Sequence, residues 1–140
     1  MEAAVQRNRT DALAWYHLGV KQQENEREQK AITALRRALE LDPTHLPSWL
    51  ALAVSHTNEG SRFQTYNAIR QWVDHNEKYR SAVMEFYAVN PERDDLTNAE
   101  RFESLAQCLM GMARSNMSGE IDADIQIALA VLLNANEVRY

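Results

Sequence analysis

Val54, Thr57 and Asn58 present one apolar contact, one hydroxyl and one amide at helical spacing. An Asn side chain donates and accepts hydrogen bonds together, which suits the C=O and N–H of an extended peptide. Such pairing holds a peptide backbone without demanding a particular side chain. Glu59 follows directly, Glu24 stands in the corresponding stretch of sequence upstream, and either carboxylate could attract a Lys or Arg. Asn134 offers a second amide far downstream. The plainer reading has Asn58 at a helix end and both glutamates simply solvated. Residues suited to covalent or metal chemistry do not gather. His17, His45, His56 and His75 have no metal-ligand spacing, and there is no H-E-x-x-H, Gly-rich phosphate loop or G-x-S-x-G motif. A lone cysteine, Cys108, can form neither an internal disulfide nor a metal knuckle, so a reducing setting is expected. No enzyme activity, metal or cofactor is expected, and the residues point to a binding module.

The elements that must position these side chains follow from an internal repeat. Trp15, Leu18 and Gly19 recur 34 residues later as Trp49, Leu52 and Ala53. The first unit continues through Ala31, Leu35, Ala38 and Pro43. This is the pattern of the tetratricopeptide repeat, a helical hairpin of that length, with Gln22 in place of an aromatic. The small residues let the paired helices approach closely, Trp15 and Trp49 are expected to fill the gap between repeats, and Pro43 ends a helix. A second unit is weaker, with Thr65 and Trp72 at small-residue positions and no closing Pro in Asp74-His75-Asn76-Glu77. Glu2 to Val5 align with the end of an earlier second helix, and Leu129, Ala130 and Leu133 with a later first helix.

The predicted fold is an all-α helical-hairpin solenoid, cut from a longer one at both ends. Helices are predicted near 11–25, 28–41, 45–58, 61–75, 79–89, 96–116 and 121–135. Thr10 or Asp11 would cap the first, Thr44 would open the third, and Thr97 with Glu100 resembles a capping box. Residues 1–76 hold the end of one repeat and two further repeats, 77–120 an irregular helical hinge, and 121–140 the first helix of another unit. Loops are expected around Pro91 and Gly119. Phe102, Leu105, Leu109 and Met112 form an amphipathic stripe, read as core, although the nearby Met84, Met110 and Met117 could form a pliable surface. Residues lining the inner face of the solenoid would be Leu13, Tyr16, Val20, Gln23 and Glu24 in the first unit. Pro47, Leu50, Val54, Thr57 and Asn58 follow in the second, and Asp124, Ile127, Val131, Asn134 and Ala135 in the third. His56 would face the paired helix as a packed imidazole. With no second helix to cover it, helix 121–135 would leave an apolar face that favours self-association.

Composition narrows the partners. A net charge of -5 argues against nucleic acid, which requires clustered Lys and Arg. No apolar run approaches the roughly 18 residues of a membrane span, and no secretory signal opens the chain. The triplets Asn8-Arg9-Thr10 and Asn116-Met117-Ser118 are therefore read as chance matches to a glycosylation motif.

The string Ala51-Leu-Ala-Val-Ser-His-Thr-Asn-Glu59, preceded by Leu35-Arg-Arg-Ala-Leu-Glu-Leu-Asp-Pro43, resembles the peroxisomal import receptors for C-terminal Ser-Lys-Leu signals. So do Gln22-Gln-Glu-Asn-Glu26 and Asp122-Ala-Asp-Ile-Gln-Ile-Ala-Leu-Ala-Val-Leu-Leu-Asn134. The likeness runs from about Glu2 to Glu137, nearer to fungal than to animal members, and fits poorly only at Val138-Arg139-Tyr140. It implies a cytoplasmic receptor cycling to the peroxisome, with repeats around a cargo tunnel and a distorted unit as hinge. It maps cargo contacts onto Val54, Thr57, Asn58 and Asn134. It also implies docking machinery engaged through parts absent here, and later repeats that complete the cargo site. A chaperone-binding repeat would need Lys and Asn where Tyr16 and Val20 stand. The alternative is a generic repeat scaffold with an unknown partner.

Overall fold

The computed structural model describes residues 2–116, 119–120 and 122–136, with side chains from Gln6 onward. Among these residues there are seven α-helices and no strand: α1 (Glu2–Glu24), α2 (Glu28–Leu41), α3 (Leu46–Asn58), α4 (Arg62–Asp74), α5 (Arg80–Val89), α6 (Asn98–Ser115) and α7 (Ala123–Asn136). A single 3₁₀ turn, Glu77–Tyr79, links α4 to α5.

Two hairpins form the first part, and small residues set their spacing. A Cβ added to Gly19 would lie 2.7 Å from Leu35 Cγ, so α1 and α2 touch at a distance only glycine permits. Ala31, Leu35 and Ala38 are fully buried on the facing side of α2. After α2, Asp42 Oδ1 accepts hydrogen bonds from Thr44 N (3.1 Å) and Thr44 Oγ1 (2.6 Å). Thr44 therefore braces the turn instead of opening the third helix. That helix starts at Leu46, with His45 at its cap position and Pro47 in its first turn. The α3–α4 turn uses Gly60 at φ 76°, a left-handed conformation that favours glycine. Thr65 and Trp72, at positions where small residues were expected, are both buried.

The start of the chain differs from the sequence expectation. Residues 2–24 form one continuous helix, so neither Thr10 nor Asp11 caps it and no earlier second helix ends there. Thr10 Oγ1 donates to Gln6 O (2.9 Å) within the helix. The position one period before Pro43 is Arg9, which has an N–H to donate and does not stop a helix. Among the described residues no helix packs over Trp15, which is 37% exposed rather than filling a gap between repeats. Trp49 does fill one: its Nε1 donates to Pro43 O (2.7 Å) and its ring stacks on His75.

Helices α5 and α6 lie between the second hairpin and α7. Thr97 caps α6 by accepting from Glu100 N (3.1 Å), and its hydroxyl donates to the Glu100 carboxylate. Phe102, Leu105, Leu109 and Met112 are core, as their spacing predicts. Cys108 is buried beside them, and burial pushes its thiol up to about 11, which suits an inert residue. Met84 and Met110 are exposed, while Met117 lies outside the described residues. Arg70 of α4 joins the two parts by lying over the Tyr87 ring (4.2 Å) and pairing with Asp74 and Glu92.

Helix α7 then returns to pack on α3, α4 and α6. Ile125, Ala128, Leu132 and Ala135 form its buried face, so the helix expected to lack cover has it on that side, while Ile127 and Leu133 stay exposed. Its entry is fixed by Asp122, whose Oδ1 accepts from Asp124 N (2.9 Å) and whose Oδ2 accepts from Tyr79 OH (2.5 Å). Burial pushes the Asp122 carboxyl up, but the Tyr79 hydroxyl, the N–H groups of Asp124 and Ile125 and the Lys78 charge outweigh it and hold it below its usual range. A pKa lowered by folding gives stability that is present above about pH 4 and lost as pH falls through the folded value. Acidification is therefore expected to loosen the start of α7, and Asp122→Asn should remove that part of the acid response. Urea melts at neutral and acid pH would show it as a difference between the two proteins that shrinks with acidification. A difference independent of pH would refute the assignment.

Candidate peptide-binding site

The end of α3, the start of α4 and the second half of α7 enclose a cup of about 380 Å³. Thr57, Asn58, Arg62, Thr65 and Asn134 supply its polar lining, with Ser61 and Gly60 in the connecting turn. Repeat register brings Thr57 and Asn58 to the last turn of α3, and the docking of α7 brings Asn134 opposite. Thr57 Oγ1 lies 2.9 Å from Ala53 O and 3.1 Å from Thr65 Oγ1, and Thr65 in turn donates to Ser61 O (3.0 Å). These bonds fix the hydroxyls on the wall of the cup. Asn58 Nδ2 donates to Glu28 Oε1 (3.0 Å), which orients the amide from the first residue of α2. Among the described residues the other Glu28 oxygen is buried with no hydrogen-bond partner.

Three of the six residues singled out from the sequence, Thr57, Asn58 and Asn134, thus line one cavity. The others stand apart from its lining. Val54 is half-buried one turn earlier on α3. Glu59 is exposed and accepts from Gln29 Nε2 (3.0 Å). Glu24 is the exposed last residue of α1. The expected inner face also needs correction. Gln23 Nε2 donates to Ala51 O (2.9 Å) and Ser55 Oγ (2.7 Å), so it ties α1 to α3. Leu50 and Ala135 are buried in the core. On the nominal inner face α3 packs against both α1 and α7.

Arg62 was not foreseen. It begins α4, donates to Asn136 Oδ1 (2.8 Å) and lies over the Phe102 ring (5.1 Å). Its partners are distant in sequence, so no local pattern announces it. His56 is buried, as its register position predicts, and borders a separate cleft with Arg36. Burial and the Arg36 charge hold its pKa below the usual histidine value. Among the described residues no group of three or more His, Cys, Asp or Glu could hold a metal, and no helix is long and apolar enough to cross a membrane.

Comparison with known proteins agrees with this architecture. The tetratricopeptide repeat family matches residues 12–45. The chain is 36% identical to the human PEX5-related protein over 96% of its length. It is 36% identical to the peroxisomal targeting signal receptor of Yarrowia lipolytica, and 34% to that of Komagataella phaffii, each over 97% of its length. The chain is thus similar, over almost all of its own length, to one stretch of each of these proteins. It spans 22–23% of the length of the three relatives. Human and Yarrowia proteins match equally, so identity does not favour fungal over animal members.

Proposed function

We propose that this segment binds peptides as part of a receptor for peroxisomal matrix proteins, one that cycles between cytoplasm and peroxisome and reads C-terminal signals of the Ser-Lys-Leu type. The observation that supports this most is the cup itself, where Thr57 and Asn58 face Asn134 across a polar cavity. Amides and hydroxyls on both sides give donors and acceptors for an extended backbone. The names of the relatives point the same way. This cup makes only part of the contacts a tight complex needs. A few hydrogen bonds, each worth about 0.5–1.5 kcal/mol, do not offset the several kcal/mol cost of association. Weak binding by the chain alone is the expected result.

The test is a titration of the isotopically labelled chain with a Ser-Lys-Leu peptide to millimolar concentration, followed by NMR. Signals of Thr57, Asn58 and Asn134 are expected to shift. Asn58→Ala is expected to weaken binding by a few-fold to about tenfold, the loss of one hydrogen bond. A folded chain with none of these shifts would sink the reading and leave a repeat scaffold for another partner.

A further inference from the structure

Arg62 lines a second cavity besides the cup. This cleft, of about 440 Å³, lies between α4 and the start of α6. Phe63, Tyr66 and Phe102 give it an aromatic surface, with Arg62, Arg101 and Asn98 around them. Phe63 is 67% exposed, unusual for so large an apolar side chain. Tyr66 and Phe102 lie against each other with centroids 5.4 Å apart, so the surface is preformed.

Its charge is the opposite of the chain's. The protein carries 20 Asp and Glu and a net charge of -5, yet no carboxylate lines this cleft. Neither arginine has a carboxylate partner among the described residues. Arg62 donates to the Asn136 amide (2.8 Å), and Arg101 makes long contacts of 3.5 Å to the Leu96 and Asp94 carbonyls. Arg37, Arg70, Arg80 and Arg93 sit on carboxylates, whereas these two, like Arg27 and Arg36, do not, and what distinguishes them is that they share one aromatic cleft. Two guanidinium groups without a carboxylate partner, beside the exposed Phe63 ring and the partly exposed Tyr66, favour an anionic group joined to an apolar one. The cup and the cleft meet at Arg62, so one extended peptide can occupy both.

We propose that the cleft is a second subsite of the same groove, taking an acidic side chain, with an apolar neighbour, from the residues upstream of the peptide's C-terminal signal. This rests on the peptide-binding reading of the cup. Arg62 bridges the two subsites, and Arg101 contributes charge to the outer one alone.

Two peptides ending in Ser-Lys-Leu provide the test, one with Glu-Phe upstream and the other with Gln-Phe, titrated by NMR into the wild-type chain and Arg101→Gln. Arg101 is partly exposed and outside the core, and a thermal melt checks that the variant folds. The Glu peptide is expected to bind about 1.5- to fivefold more tightly, as for exposed charge pairs. That preference should fall with added salt and disappear in Arg101→Gln. Equal affinity for both peptides, or a preference that survives Arg101→Gln, overturns the subsite and leaves the cup reading intact. A Glu peptide that binds equally well without its Ser-Lys-Leu end would make the cleft an independent docking site, which also overturns the proposal. Failure of every Ser-Lys-Leu peptide to bind overturns both readings.

Discussion

Trp72→Ala is expected to lower the free energy of unfolding by about 3–5 kcal/mol. Trp72 is the largest of the fully buried side chains, at the inner face of α4. Its counterpart one period earlier is Ala38, so alanine is the residue the repeat pattern itself would place here. The fold has instead been built around an indole, in one core cluster with Leu52, Ile69, Tyr79 and Leu105. Truncation leaves a cavity the size of that ring, and the neighbours are held by their own helices, so they can collapse into it only in part. Urea denaturation gives the loss directly. A loss under about 1 kcal/mol would mean that the second repeat relaxes to the ordinary pattern, and that its indole is not structural.

Leu132→Ala should cost about 2–5 kcal/mol, and most of it should fall on one joint. Leu132 is buried at the centre of the docking face of α7, between Ala128 and Ala135. With alanine there, three of the four buried residues on that face would be alanines, and little apolar area would remain to hold the helix. Asn134 travels with α7, so the cup should open as the helix loosens. Amide exchange is expected to rise throughout α7 while α1 to α4 keep their protection. A uniform rise across all helices would show that α7 and the repeats unfold as a single unit.

Much of this architecture was legible in the sequence, because it rests on residues whose role is local. Gly19 against Leu35, Pro43 after α2 and Thr97 before α6 each act within one hairpin or one cap, and their spacing announces them. The fused start of α1 was misread because Arg9 merely fails to stop a helix, and the absence of a breaker is a weak signal. Thr44 was misread because it had two roles open to it, and Asp42 two residues earlier captured its hydroxyl. Repeat register put Thr57, Asn58 and Asn134 on one inner face, and the fold brings these three to one cavity. Arg62 was missed because its partners, Phe102 and Asn136, come from helices that meet α4 only in the folded chain.

Helix α7 takes a place beside α3 and α4, although residues 75–122 intervene. The α1–α2 and α3–α4 pairs join across turns of a few residues, so they can form early and fast. Bringing α7 back requires closing a loop many times longer, at an entropic cost that must be met before its contacts reward it. The cup should therefore be the last part of the molecule to assemble, and its rate of completion should depend on the length of the intervening segment. Shortening the Pro91–Asp95 loop would hasten that step without touching any residue that lines the cavity.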